Sequence, residues 1–481
     1  MNKIDVKYFI FLFVLQFLFG CSQETINSEV EDSELPNVII IFTDDMGYGD
    51  LSSFGAPNIR TPHLDKMASE GQKWTNFYAV ASVCTPSRAG LLTGRYPVRS
   101  GMASDVTRVL FPDSKGGLPE REITIAEQVK KAGYQTAMIG KWHLGHRDQY
   151  LPTNHGFDYY YGIPYSNDMD RTPKNPQEDN YFEGYWDFAD EHIPIEYYNV
   201  PLMRNNEIIE RPADQNTITR RYTEESISYI EEHSEEPFFL ILAHSLPHIP
   251  LFASDEFTGR SDAGLYGDVI EEIDYGVGQI ISKLKELDIE EQTLVVFTSD
   301  NGPWLTFKTH GGSAGLLRAG KGMTWEGGMR VPAIFWWPGT IKPKIVTDMG
   351  STIDFFTTVS HLVDVPVPED RITDGVNLAP VLFGEGKSPR KKLLFYRGAT
   401  LYAARKGDFK AHYITEGAYG QFGDKVVHDT PLLFNLSKDP AEKYNVADEH
   451  PEVLAEIEKM VEEHKKNLVE VKDQLAERES N

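Results

Sequence analysis

Apolar residues along this chain gather into short unbroken runs separated by stretches of helical spacing. Asn37 to Phe42 (NVIIIF), Thr136 to Ile139, Phe238 to Ala243, Leu294 to Phe297 and Val331 to Trp337 are nearly uniformly apolar and mostly β-branched or aromatic. That is the pattern of strands covered on both faces, as in a parallel sheet. Between them lie helical signals. Thr124 and Glu127 form a capping box whose helix stops by Gly133, and Thr217 to His233 and Tyr266 to Leu287 carry helical periodicity. The alternation predicts an α/β domain with helices flanking a mixed, mostly parallel central sheet.

The pattern changes twice. Residues 150 to 200 are rich in Tyr, Asp, Asn and Pro and are expected to wander irregularly over one face. Near residue 385 a charged, turn-rich segment gives way to the short alternating runs Leu393 to Arg397, Thr400 to Arg405 and Phe409 to Ile414, which predict an antiparallel sheet. Pro451 to Glu477 reads as one amphipathic helix with Leu454, Ile457, Val461, Leu468, Val471 and Leu475 on its apolar side. At the other end, Lys3 and Lys7 precede an apolar run from Tyr8 to Phe19 that is short for a bilayer span. The expected organisation is therefore an export signal over 1–20, a polar tether over 21–35, a catalytic domain over 36–385 and a smaller α+β subdomain over 386–481.

Composition narrows the function. A formal net charge of -26 argues against nucleic acid as a partner, because phosphate binding needs a basic face. The chain has 2 cysteines, Cys21 and Cys84. Leu18-Phe19-Gly20-Cys21, which ends the apolar run, resembles a bacterial lipobox with Cys21 as the lipidated first residue of the mature chain. With Cys21 so used, Cys84 has no disulfide partner.

The chemistry-bearing residues sit where buried strands end. The first run finishes in Asp44-Asp45 and the fourth in Asp300-Asn301, all oxygen donors suited to Ca²⁺ and less readily Mg²⁺. Lys141, His143 and His248 follow two further strands, with His244 a rival for the place of His248, and Lys321 lies in a glycine loop. Thr85, Pro86 and Gly94 predict a helix capped by Thr85, which puts Cys84 just before a helix N-terminus and Arg88 one turn along. Each of these has an ordinary structural reading when taken alone.

Cys84-Thr85-Pro86-Ser87-Arg88, followed by Ala89-Gly90-Leu91-Leu92-Thr93-Gly94-Arg95, resembles the signature of the type I sulfatases. Residues from Asn37 to Pro332 resemble that family in consistent order. The resemblance implies an alkaline-phosphatase-like fold and a sulfuric ester hydrolase, with Cys84 oxidised to formylglycine by a formylglycine-generating or radical SAM maturation enzyme. It implies Asp44, Asp45, Asp300, Asn301 and the modified Cys84 around a divalent metal. Arg88, Lys141 and Lys321 would neutralise the hydrated aldehyde and the sulfate. His248 would protonate the leaving alcohol, and His143 would accept the proton of the second hydroxyl as sulfate is expelled. Gly162 to Met169, Lys406 to Tyr413 and Leu433 to Glu442 resemble pocket-rim segments of arylsulfatase A and galactosamine-6-sulfatase relatives, which makes Asp168, Arg171 and His412 candidate substrate contacts. The expected substrate is a sulfated carbohydrate of galactose or N-acetylgalactosamine type. The expected location is a bacterial membrane, periplasmic or at the cell surface, through a lipid anchor. Two other readings are a phosphonate or phosphate ester hydrolase of the same superfamily and an inactive glycan-binding surface lipoprotein.

Overall fold

Strand β1 (Asn37–Thr43) is wholly buried and lies at the middle of the protein. The computed structural model describes residues 35–172, 185, 193 and 195–479; Cys21, the expected signal and all of the expected tether but its last residue lie outside them. Strands β2 (Gln72–Tyr78), β3 (Gln135–Gly140), β4 (Tyr159–Gly162), β5 (Leu202–Arg204), β6 (Glu207–Glu210), β7 (Phe238–Ala243), β8 (Thr293–Ser299), β9 (Arg330–Trp336) and β10 (Lys344–Ser351) join β1 in a 10-stranded sheet. Its order is β10-β2-β9-β8-β1-β7-β3-β4-β5-β6. The run β8-β1-β7-β3-β4 is parallel, whereas β9 is antiparallel to both its neighbours. The expected mixed, mostly parallel sheet is what forms.

Alternate side chains of β1 feed two cores. Ile39 and Ile41 enter one layer with residues of the helices Pro62–Glu70, Ile218–Glu232 and Gly264–Glu286. Val38, Ile40 and Phe42 enter the other with residues of Cys84–Thr93, Ile125–Lys130 and Phe355–Leu362. Burial on both faces is why these strands lack any polar alternation. The capping box forms as expected, with Thr124 Oγ1 accepting from Glu127 N at 3.2 Å and Glu127 Oε2 accepting from Thr124 N at 2.7 Å.

A second, 4-stranded antiparallel sheet is built from β11 (Lys392–Arg397), β12 (Thr400–Lys406), β13 (Phe409–Thr415) and β14 (Val426–Asn435). The last helix is shorter than its sequence pattern suggests, spanning Pro451–Lys466. Arg99 Nη1 donates to the Asn467 carbonyl at 2.8 Å and closes the helix there. The chain then runs back over the large domain, where Gln474 N donates to Gly101 O and Lys115 N to Glu477 O, both at 2.9 Å. Leu475 is fully buried by this return, not by a helical face. The stretch 150–200 is likewise not all irregular, since β4 lies within it.

Candidate active site

Parallel pairing of β1 with β8 sets Thr43 opposite Ser299, so Asp44-Asp45 and Asp300-Asn301 leave the sheet side by side. Asp300 N continues the ladder to Thr43 O at 3.0 Å. Asp45 N then donates to Asp300 Oδ1 at 3.2 Å, and Asn301 Nδ2 donates to Asp45 Oδ1 at 2.7 Å. These contacts join residues some 255 positions apart at the carboxyl edge of the sheet, where open α/β folds bind ligands.

Three buried cations answer three buried carboxylates. Lys141 Nζ donates to Asp44 Oδ2, and also to Ser166 Oγ at 3.0 Å. Lys321 Nζ donates to Asp45 Oδ2 at 2.7 Å and lies 4.1 Å from the centroid of the Trp304 ring. Arg88 donates from Nε and Nη2 to Asp300 Oδ2 at 3.1 and 3.0 Å, while its Nη1 reaches Lys141 O at 2.7 Å. Burial alone would raise the Asp44 carboxyl, but Lys141, His248, Arg88 and Lys321 hold it well below the usual range. Burial prevails at Asp45, whose carboxyl rises to about 6 despite Lys321. It also prevails at Asp300, which rises to about 7 with Asp44 adding to the effect.

The helix carrying Cys84 differs from expectation in one respect. It spans Cys84–Thr93, the N-cap position belongs to Val83 with no side-chain cap, and Cys84 is the first helical residue. Thr85 does not cap because its hydroxyl is engaged elsewhere: Oγ1 donates to His143 O at 3.0 Å and accepts from Leu110 N at 3.1 Å. Gly94 ends the helix in the left-handed region, as expected. Cys84 Sγ donates to Asp44 Oδ1 at 3.3 Å. Burial, reinforced by Asp44, pushes this thiol well above its usual range, so it is no thiolate nucleophile.

Both histidines have one ring nitrogen fixed by a backbone carbonyl. His143 donates from Nε2 to Leu110 O at 2.9 Å, which leaves its buried Nδ1 without a hydrogen-bond partner among the described residues. His248 donates from Nδ1 to Ile249 O at 2.5 Å and turns Nε2 toward Asp45 Oδ2, 3.6 Å away. Burial, with Lys141 beside His143 and Lys321 beside His248, holds both rings well below the usual histidine range. His248 lines the active-site cleft and His244 does not.

That cleft, about 520 Å³, exposes Cys84, His143, Ser166, Asp168, His248 and Lys321. A larger cleft of about 680 Å³, lined by Asp50, Tyr266 and Lys308, holds none of the expected catalytic groups. Ligand atoms of Asp44, Asp45, Cys84 and His248 all lie within 4.8 Å of one another, a buried cluster able to hold a metal. The expected ligands Asp300 and Asn301 flank it, with Asp300 turned to Arg88. Asn301 Oδ1 is buried without a hydrogen-bond partner among the described residues, which fits a hard cation beside it.

Two of the three candidate substrate contacts need correction. Asp168 does line the cleft. Arg171 is exposed, pairs through its backbone with Tyr198, and is not among the lining residues. His412 is fully buried in β13, bonded through Nε2 to Glu442 Oε1 at 2.7 Å and lying 4.3 Å from the Trp325 ring. Glu442 also accepts from Glu326 N at 2.6 Å, and its carbonyl from Arg318 Nη1 at 2.8 Å. The segments around His412 and Glu442 thus brace the loop that carries Lys321 and do not form the rim. Among the described residues the rim includes Arg108, Phe111, Trp304, Tyr419 and Arg478, none of them marked by a sequence motif.

Fold and site together define a hydrolase of the alkaline-phosphatase-like architecture, with three buried ion pairs gathered around Cys84. A family model described as Sulfatase matches residues 36–365, and one described as the C-terminal region of aryl-sulfatase matches 388–481. Human arylsulfatase A is 40% identical over 457 residues, covering 88% of this chain and 87% of its own. Mouse N-acetylgalactosamine-6-sulfatase is 38% identical, covering 92% of this chain and 88% of its own. Among solved structures, a Bacteroides thetaiotaomicron sulfatase described under metabolism of multiple glycosaminoglycans superimposes with TM-score 0.77 at 31% identity, over 90% of this chain and 100% of that one. The chain belongs to the sulfatase family and is a sulfuric ester hydrolase.

Proposed function

We propose that the protein desulfates a carbohydrate of galactose or N-acetylgalactosamine type, using formylglycine made from Cys84 and a divalent cation held by Asp44, Asp45, Asp300 and Asn301. The all-oxygen donor set favours Ca²⁺ over Mg²⁺. The observation that carries the reading is the buried pairing of Arg88, Lys141 and Lys321 with Asp300, Asp44 and Asp45 around Cys84. Three cations and three carboxylates cancel, so a bound divalent cation leaves a net positive pocket for a sulfate ester and an oxygen nucleophile.

When present, the cation supplies positive charge opposite the sulfate, and the oxidised Cys84 supplies a hydrated aldehyde as oxygen nucleophile. The chain's own residues do the rest. Arg88, Lys141 and Lys321 bind and orient the anion at the buried floor of the cleft, where such contacts are stronger than in open water. His248 donates a proton to the departing alcohol once anion binding has charged its ring. His143 accepts a proton at Nδ1, the nitrogen left open by its bond to Leu110 O.

Support for a carbohydrate comes from the N-acetylgalactosamine-6-sulfatase and glycosaminoglycan-metabolism relatives. We further propose export and a lipid anchor at Cys21, which places the enzyme where extracellular glycans are met. The test is inorganic sulfate release from galactose and N-acetylgalactosamine sulfated singly at each position, by protein co-expressed with a formylglycine-generating enzyme, with C84A as control. Release from one isomer, absent in C84A, supports the reading. Silence with formylglycine confirmed by peptide mass, but turnover of a nitrophenyl phosphonate ester, replaces it with the phosphonate hydrolase.

A further inference from the structure

Among the described residues, one cation at the mouth of the cleft has no acidic partner. Arg108 lines the cleft and is exposed, and among the described residues it has no hydrogen bond or ion pair. Its guanidinium lies instead over the Tyr419 ring, 4.6 Å from the centroid. In a chain of net charge -26, an arginine with no acidic partner among the described residues stands ready to meet an anion that enters the cleft. The other rim arginine, Arg478, is neutralised by Asp113, with Nη2 2.7 Å from Oδ1.

The position of Arg108 is also built. Ser104 Oγ accepts from Val106 N at 3.0 Å, and Asp105 accepts from Ala399 N and Thr400 Oγ1, both at 2.9 Å. Two residues after Arg108, the Leu110 backbone is held from both sides, its N–H by Thr85 Oγ1 and its carbonyl by His143 Nε2. The loop is therefore fastened to the residue next to Cys84 and to a catalytic histidine. A path of rings leads outward to the arginine. The His248 ring is 5.3 Å from Trp304, and Trp304 is 4.8 Å from Tyr419, over which Arg108 sits. Trp304 and Tyr419 both line the cleft, so the path joins the catalytic histidine to the cation along the cleft wall.

We propose that Arg108 is a specificity-determining residue that binds a second anionic group on the substrate, carried by the sugar beside the one that loses sulfate. The shared chemistry is a carboxylate or a second sulfate, which a planar guanidinium takes through two parallel hydrogen bonds. The preferred substrate is then a multiply charged saccharide, not a singly sulfated sugar. This rests on the carbohydrate reading given above.

The experiment compares kcat/KM for one sulfated sugar linked to a uronic acid, to a second sulfated sugar, or to a neutral sugar, in wild type, R108K and R108Q. Aryl sulfates with and without a ring carboxylate are run alongside. Wild type is expected to prefer a charged neighbour by about tenfold to a hundredfold, the range of a charge-assisted hydrogen bond. R108Q should bring that ratio close to one, and R108K should fall between. Which charged neighbour gives the larger ratio separates carboxylate from sulfate. Equal rates on all neighbours in wild type, or a preference that survives R108Q, overturns the proposal. Turnover of the aryl sulfates alone discards the carbohydrate reading, and the carboxylate pair then decides the role of Arg108. Silence on both panels in matured enzyme overturns the site reading and, with it, the role of Arg108.

Discussion

Arg88 places two guanidinium nitrogens on a single oxygen of Asp300, Nε at 3.1 Å and Nη2 at 3.0 Å, inside a wholly buried site. Its third nitrogen holds the Lys141 carbonyl, so one side chain links the Cys84 helix, β8 and the loop after β3. Lysine keeps the charge but not the fork. R88K is expected to lower kcat/KM for an aryl sulfate about a hundredfold. R88A, which leaves Asp300 buried and unpaired, should also cost about 3 kcal/mol of stability in urea unfolding.

Asn301 carries an oxygen with no hydrogen-bond partner among the described residues, at the proposed cation site. N301A removes that donor while leaving the three carboxylates. Calorimetric titration of Ca²⁺ into chelator-treated protein should show Kd raised about tenfold or more, and activity should return at high Ca²⁺. An unchanged Kd would remove Asn301 from the ligand set.

His412 is expected to matter for stability and not for substrate affinity, because it is buried against Trp325 and Glu442. H412A leaves a cavity and an altered polar cluster around Lys410 and Glu326, costing on the order of 2 kcal/mol. Thermal unfolding should detect the loss. KM for an aryl sulfate should stay within about twofold, and a selective rise in KM would restore the rim assignment.

Leu475 anchors the returning C-terminal segment, two residues from Glu477, whose carbonyl accepts from Lys115 N. L475A should destabilise by about 3 kcal/mol, the cost of emptying a fully buried leucine site. The tail also brings Ala476 and Arg478 to the cleft, so KM should rise as well. Urea melts and steady-state kinetics on the same preparation check both.

Asp274 accepts from His63 N and Leu64 N at the start of the helix Pro62–Glu70, yet burial raises its carboxyl to about 7. The folded protein thus holds this proton more tightly than the unfolded chain does, with an unfolded value near 3.8. Its contribution to stability is fully present below pH 3.8 and is lost as pH rises through about 7. D274N cannot ionise, so chemical denaturation between pH 4 and 8 should show a smaller fall in stability for the variant than for wild type. Parallel pH profiles would overturn this assignment.

Much of this protein is legible in the chain itself. Continuous apolar runs identify the central strands because a strand buried on both faces tolerates no alternation. The Cys84 motif, the paired acids and the lysines and histidines at strand ends are visible because the chemistry needs those groups at element termini. What the sequence leaves open is decided over long separations. Thr85 reads as a helix cap, but its hydroxyl is taken by His143 and Leu110, partners distant in sequence. Leu468, Val471 and Leu475 continue a helical spacing, but the helix stops where Arg99 meets Asn467, and Leu475 is buried by the tail's return. His412 sits in a segment resembling a pocket rim, but antiparallel pairing turns it into a buried cluster. The rim of Arg108, Trp304, Tyr419 and Arg478 has no motif because it is assembled from four separate stretches of chain. Local pattern determined the strands and the candidate catalytic groups, since those depend on neighbours along the chain. Only the tertiary structure decided which side chains face the substrate, since that depends on which distant backbone has already claimed their hydrogen bonds.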